Sequence, residues 1–345
     1  MQENDRKLAT IRTIDAINPI DGADQIEVAT VGGWKVVVKK GEFNVGDLAV
    51  YFEIDSWIPT ELASFLSKGK EPHEYNGVKG ERLRTARLRK QLSQGLLLPI
   101  PEDTKKGAGI LIEAGLDVTD HFGIQKWEPP FNAQLAGMCK GNFPSFIPKT
   151  NEERIQNLSR ELQEWAHDPD LVWEVTEKLD GSSMTVYINN GEFGVCSRNL
   201  ELKLEDTDNA FVSAANSYEL ENKLRNSNRN LALQGELISS GIQGNPYRLN
   251  NGQSAYFIYK IWDIDNQCYL SPKDRRQFCK DNELTHVPLI SLAESLLGKT
   301  MEQMLEEANG ESVLNANTKR EGLVFKSKAG SFKAISNDWL LAGND

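Results

Sequence analysis

The sequence predicts an α+β chain, with a small closed β-barrel at its N-terminus and a mixed α/β domain after it. Three observations carry this. Residues 1–125 hold five short apolar, β-branched stretches separated by turn residues. Residues 126–149 collect Pro129, Pro130, Pro144 and Pro148 around Gly137 and Gly141. From residue 171 onward, strand-like runs mix with helix signals.

The five N-terminal stretches are Leu8–Ile17, Ile26–Val38, Leu48–Ile54, Arg82–Leu88 and Leu96–Ile100. Asn18-Pro19, Asp21-Gly22, Gly32-Gly33, Gly46-Asp47 and Asn76-Gly77 punctuate them. Strands this short and this regularly spaced suit an OB-like barrel. Segment 126–149 reads as an inter-domain connection, which leaves 150–345 for the second domain. Thr150 and Glu153 have capping-box spacing, and Ile155, Leu158, Leu162 and Trp165 or Ala166 mark one face, so a helix is predicted there. Val172–Thr176, Met184–Ile188, Leu231–Ile238, Ala255–Ile264 and Gly322–Ser327 read as strands. Ser271-Pro272 with Asp274 opens a helix, and Leu289–Ala308 reads as another. The sequence shows no internal repeat and no low-complexity segment.

At 345 residues, 39% of them hydrophobic, the chain can build two cores. A net charge of −11 argues against a protein that coats nucleic acid through its bulk charge. Local basic surface is enough for an enzyme that acts on nucleic acid. The run Lys79–Lys90 supplies such a surface, with Arg82, Arg84, Arg87 and Arg89 against the single acid Glu81. Their period-two spacing puts each arginine pair on one face of a strand, either to track phosphates or to protect a sheet edge by charge. No apolar run is long enough to span a bilayer, and the opening MQENDRKLAT is not a signal peptide. Cys139, Cys196, Cys268 and Cys279 form no CxxC pair, which points to free thiols in the cytoplasm. His73, His121, His167 and His286 are scattered, against a zinc site of histidine and cysteine.

The string Glu177-Lys178-Leu179-Asp180-Gly181-Ser182-Ser183 lies between two predicted strands. A lysine at a strand-to-turn position with a carboxylate two residues on makes chemical sense if the amine is a nucleophile. A nucleophilic lysine needs its pKa lowered by burial or nearby cations. A metal near Asp180 would supply that positive field and neutralise a phosphate oxygen. Taken alone, such a string is common by chance and reads better as a solvated lysine beside a turn. Spacing adds weight: Ser197-Arg198-Asn199, Gly235-Glu236-Leu237, Trp262-Asp263-Ile264, Glu321-Gly322-Leu323-Val324-Phe325-Lys326 and Ser331-Phe332-Lys333 follow in order. Each charged residue lies in or at the end of a strand-like run, where a sheet can aim it into a shared pocket.

This ordered set resembles the motifs of the covalent nucleotidyltransferases, the superfamily of DNA ligases, RNA ligases and mRNA capping enzymes. The stretch GWKVVVKKGEFNVGDLAVYFEIDSWIP, with IPKTNEERIQN, resembles RNA ligase family 5, in which an OB module precedes the nucleotidyltransferase domain. The likeness spans essentially the whole chain and implies a nucleotidyltransferase domain built on antiparallel sheets. DNA ligases and capping enzymes carry an OB domain after the last motif. Here about a dozen residues follow Lys333, so the order argues for the RNA ligase clade.

The resemblance implies an ATP-dependent RNA ligase that uses magnesium or manganese. Lys178 would take AMP from ATP as a lysyl-AMP, pass it to a 5′-phosphate end, and let a 3′-hydroxyl displace it. The partner would be RNA or an RNA-containing nicked duplex, with no membrane, and the protein would act as a monomer. Glu177 would meet the adenine edge, or be a strand-end charge. Arg198 would hold ribose or phosphate. Asp180, Glu236 and Glu321 would surround sugar and metal, partly through water. Trp262 and Val324 would sandwich adenine, although a tryptophan in an apolar strand is also ordinary core. Lys326 and Lys333 would neutralise the α-phosphate. The second lysine that often accompanies the last motif is replaced by Ser331 or Ile335, with Lys328 nearby. Arg154 would reach phosphate, or be a solvated helix residue. Two other readings stand beside this one: a DNA ligase or GTP-using capping enzyme, and a non-catalytic nucleic-acid-binding scaffold.

Overall fold

The computed structural model describes residues 6–102, 104, 111–128, 137 and 139–343. The chain divides into two compact units, Met1–Pro130 with Leu340–Asp345, and Phe131–Trp339.

The first unit is built of short antiparallel sheets. One has the order Ala9–Thr13, Leu48–Phe52, Leu96–Pro99, and another is the meander Ala16–Pro19, Ile26–Val31, Trp34–Lys39. The predicted Ile26–Val38 stretch is two strands because Gly32 and Gly33 both have positive φ, 54° and 86°, which makes a tight hairpin turn. In Trp34–Lys39 the pleat alternates: Trp34, Val36 and Val38 are buried while Lys35, Val37 and Lys39 face outward. Trp34 packs on Tyr51 with ring centroids 5.8 Å apart, inside a core of Ile14, Val31, Phe43 and Leu97. Ser56–Pro59, His73–Tyr75 and Val78–Arg82 add strands that the sequence reading did not include. Among the described residues no helix is long and apolar enough to cross a membrane.

Two sheets form the second unit. The larger runs Cys139–Asn142, Leu200–Leu202, Glu192–Cys196, Ser182–Asn189, Leu231–Ser239, Ser254–Asp263, Cys268–Tyr269, all antiparallel. The smaller runs Glu153–Arg154, Gly330–Ile335, Gly322–Ser327, Val172–Lys178, Leu289–Ser295 and is antiparallel apart from its first pair. Each sheet buries one face in an apolar core. Met184, Val186, Leu231, Leu233 and Ile258 pack with Val212, Leu220 and Leu224, which come from the helices Ala210–Ser217 and Leu220–Asn226. Trp173, Val175, Phe325 and Phe332 pack with Leu162 and Met304 from the helices Ser159–Trp165 and Met301–Glu307. Alternation then turns the intervening residues, Lys178, Val324, Lys326, Ser183 and Glu236 among them, to the other faces.

Two predicted helices differ. Leu289–Ser295 is an edge strand against Val172–Thr176, and the helix is confined to Met301–Glu307. Pairing with an open sheet edge overrides the helical pattern, and Gly298 at φ 70° separates the two elements. The real start signal is Thr300 with Gln303, a complete capping box. Thr150 and Glu153 form no such box. Thr150 Oγ1 bonds Tyr259 Oη at 3.0 Å, and Glu153 accepts from the Arg154 amide at 2.8 Å. Glu153–Arg154 is a strand, Ile155–Asn157 a 3₁₀ turn, and the helix begins at Ser159. The Ser271 cap forms as expected, its hydroxyl accepting from the Asp274 amide.

Candidate active site

Strand register assembles the central cluster. Lys178 ends its strand opposite Gly322, which places it beside Glu321. Lys178 Nζ donates to Glu321 Oε2 at 2.6 Å. Three residues further on, Gly181 leads into the strand in which Ser183 faces Glu236. Gly181 is required by space: a Cβ there would stand 2.6 Å from the Leu237 carbonyl oxygen and 3.0 Å from Glu236 Cγ. The Asp180 amide donates to Tyr247 Oη at 2.7 Å, which fixes the turn. Arg320 fixes Glu321 from the other side by donating to the carbonyls of Glu307, Ala308 and Asn309.

The charge balance of this cluster is uneven, with Asp180, Glu236 and Glu321 around one lysine. Burial, reinforced by Glu321, raises Asp180 to about 6. Burial also raises Glu236, to about 8, despite Lys178. Burial works to lower the pKa of Lys178, but Glu321, Glu236 and Asp180 outweigh it and hold the amine above the ordinary lysine value. A surplus of crowded oxygen donors beside an ammonium fits a hard divalent cation. Among the described residues no three acidic, histidine or cysteine side chains are grouped closely enough to hold a metal ion between them.

A cationic group lies across the sheet from these acids. Lys326 is buried and donates from Nζ to the Tyr259 carbonyl at 2.8 Å. Burial, with Arg275 nearby, holds its pKa well below the usual lysine range. Lys333 pairs in register with Val324 on one side and with Arg154 on the other. Arg154 is therefore a strand residue beside Lys333, not a helix residue. Sequence reasoning missed Glu152, which accepts from Lys260 at 2.9 Å and from Ser331 Oγ at 3.1 Å. It also missed Glu174, which is buried against Arg275 and Arg276, with Arg275 Nε 3.0 Å from His286 Nε2. Period-two alternation in Ser254–Asp263 and Val172–Lys178 was the signal available for Lys260 and Glu174.

Other predicted residues lie elsewhere. Trp262 pairs with Ala232, four residues along the strand from Glu236, or roughly 13 Å away. Its Nε1 donates to the Phe146 carbonyl at 3.1 Å, and its ring packs on Tyr269. Phe257 is the aromatic opposite Glu236, clustered with Leu179, Tyr247 and Tyr259. Glu177 alternates to the far face from Lys178, where its buried carboxylate accepts the Val313 amide at 2.8 Å and leaves Oε1 without a hydrogen bond. Burial raises its pKa. Arg198 is exposed in the turn before Leu200–Leu202, and Lys328 is exposed in the turn before Gly330–Ile335.

In the first unit the four arginines do not share one strand. Arg82 ends Val78–Arg82, Arg84 follows it, Arg87 lies in Ala86–Leu88, and Arg89 occupies the next turn with φ 49°.

Comparison with known proteins follows this division. An OB-fold domain family matches residues 8–100, and the RNA ligase family matches residues 171–339. A Naegleria gruberi RNA ligase structure, a lysine-to-alanine mutant with ATP and Mn, is 47% identical with a TM-score of 0.83, covering 97% of this chain and 98% of that one. The same enzyme with PPi is 47% identical, TM-score 0.82, over 99% of both chains. Its lysine-to-methionine mutant with AMP and Mn is 47% identical, TM-score 0.83, over 99% of this chain and 100% of that one. No curated protein matches. The chain belongs to the RNA ligase family.

Proposed function

We propose that the protein is an ATP-dependent RNA ligase that joins a 3′-hydroxyl to a 5′-phosphate through a covalent adenylate on Lys178. The observation that carries this is the Lys178 amine held 2.6 Å from Glu321 and ringed by Asp180 and Glu236. In the first step Nζ attacks the α-phosphorus of ATP. The N–P bond forms, the bond to pyrophosphate breaks, and Glu321 Oε2 is placed to receive the proton. In the second step an oxygen of the 5′-phosphate displaces Lys178 from the α-phosphorus. In the third the 3′-hydroxyl attacks the 5′ phosphorus and AMP leaves.

A magnesium or manganese ion held by Asp180, Glu236 and Glu321, in part through water, would supply the positive charge that phosphate and amine both need. Lys326, Lys333 and Arg154 face the phosphates. Phe257 and Val324 take the adenine, with Arg198 toward ribose or phosphate, while Glu177 stays buried on the opposite face of the sheet. We assign the nucleotide chemistry to the second unit and the holding of an RNA-containing nicked duplex to the first. The protein acts as a monomer, and its four free thiols suit the cytoplasm. α-Labelled ATP tests the central claim: the wild type should become covalently labelled and Lys178→Ala should not. Label on Lys178→Ala would overturn it.

A further inference from the structure

The first unit contains a pocket of about 260 Å³ lined by Ile54, Asp55, Arg82, Arg84, Thr85, Arg87, Leu340 and Gly343. Three guanidiniums against one carboxylate leave it two positive charges in excess, in a chain whose net charge is −11. The three arginines are not equivalent. Arg82 donates from Nε to Asp55 at 3.0 Å, and its guanidinium lies 3.9 Å from the Trp127 ring centroid. Arg87 donates from Nη1 to the Leu341 carbonyl at 2.6 Å. Asp55 and Leu341 thus hold two cations in place and use part of their hydrogen-bonding capacity. Arg84 is exposed and has no hydrogen-bonding or ion-pair partner among the described residues. A guanidinium presents five donors in a planar fork suited to phosphate oxygens.

We propose that this pocket binds one non-reacting phosphodiester of the RNA strand, with Arg84 as the residue that engages it and Arg82 and Arg87 as its fixed flanks. The proposal rests on the RNA ligase reading. The reacting 5′-phosphate must meet Lys178, and no residue around Lys178 lines this pocket. The volume is about that of nine waters of liquid, near one sugar–phosphate unit and small for a nucleotide with its base. Arg89 lies outside it.

The test uses the full-length protein and a nicked RNA duplex. Its first arm is wild-type sealing with ATP, whose absence would defeat the ligase reading itself. With sealing established, Arg84→Ala should weaken duplex binding about tenfold and lower the salt slope by about one charge. Arg84→Lys should recover the slope but only part of the affinity. Lys40→Ala, an exposed cation of the same unit away from the pocket, should change neither by more than about twofold. Neutral methylphosphonates placed singly along the strand should reveal one internal position whose loss is not additive with Arg84→Ala. Coupling to the terminal 5′-phosphate would overturn the assignment to a non-reacting group. Unchanged affinity and slope in Arg84→Ala would overturn the pocket as a phosphate site.

Discussion

Lys178 and Glu321 meet because one strand ends where its partner begins. Lys178 pairs with Gly322, so the residue before Gly322 faces the amine. At 26% and 14% side-chain exposure the pair is partly withdrawn from water, where losing one partner costs more than at an open surface. Lys178→Arg should retain the ion pair and the fold yet take no label from α-labelled ATP, because a guanidinium does not give up its proton to attack. Label on the arginine variant would place the nucleophile elsewhere.

Glu236→Ala and Glu321→Ala should lose more than a hundredfold of adenylylation, an expectation of roughly 3 kcal/mol for groups at the reacting centre. Both should keep a cooperative melting transition. Normal labelling by either would remove that carboxylate from the chemistry.

Proton linkage gives a second test. Asp180 and Glu236 have folded pKa values raised to about 6 and about 8. A raised carboxyl binds protons more tightly when folded, so its contribution to stability is full below the unfolded value and is lost as pH rises through the folded one. The ligand-free protein should therefore lose this contribution between about pH 3.8, the unfolded value of Asp180, and about pH 8. Manganese competes with protons for the same oxygens, so the rise in Tm it causes should be larger at about pH 8 than at about pH 5.5. A metal-induced shift of equal size at both pH values would separate the metal from these two acids.

Gly181→Ala should destabilise the second unit by about 1–3 kcal/mol, the usual cost of overpacking, since the new methyl meets the Leu237 carbonyl. It should also impair labelling, because Glu236 Cγ is the next atom it meets. Denaturant midpoints and label incorporation report the two effects separately.

Phe257→Ala should raise the KM for ATP in adenylylation, whereas Trp262→Phe should leave it near wild type. The second variant should instead lose about 1 kcal/mol of stability with its Phe146 hydrogen bond. The reverse pattern of KM would restore Trp262 to the adenine.

Lys178, Asp180, Glu236 and Glu321 can be grouped from the sequence because their motifs fall in or beside strands, where register converts spacing into contact. Which aromatic stands opposite Glu236 cannot: Phe257 and Trp262 share one strand, and only the pairing with Leu231–Ser239 shows that it is Phe257. Leu289–Ser295 reads as helix in isolation because its strand character depends on a neighbour about a hundred residues away. Arg154 shows the same dependence, its capping-box residues being drawn off by Tyr259 and by its own amide. The arginine run was legible as charge but not as a pocket, since Asp55, Trp127 and Leu341 come from distant parts of the chain.

Lys178 is the last residue of its strand in one sheet, and Ser182 is the first of its strand in the other. The link between them, Leu179–Gly181, is three residues long and is tied at the Asp180 amide to Tyr247 Oη. A tether that short gives the end of one strand and the start of the next almost no independent travel. The backbone at Lys178 is therefore located by both sheets at once.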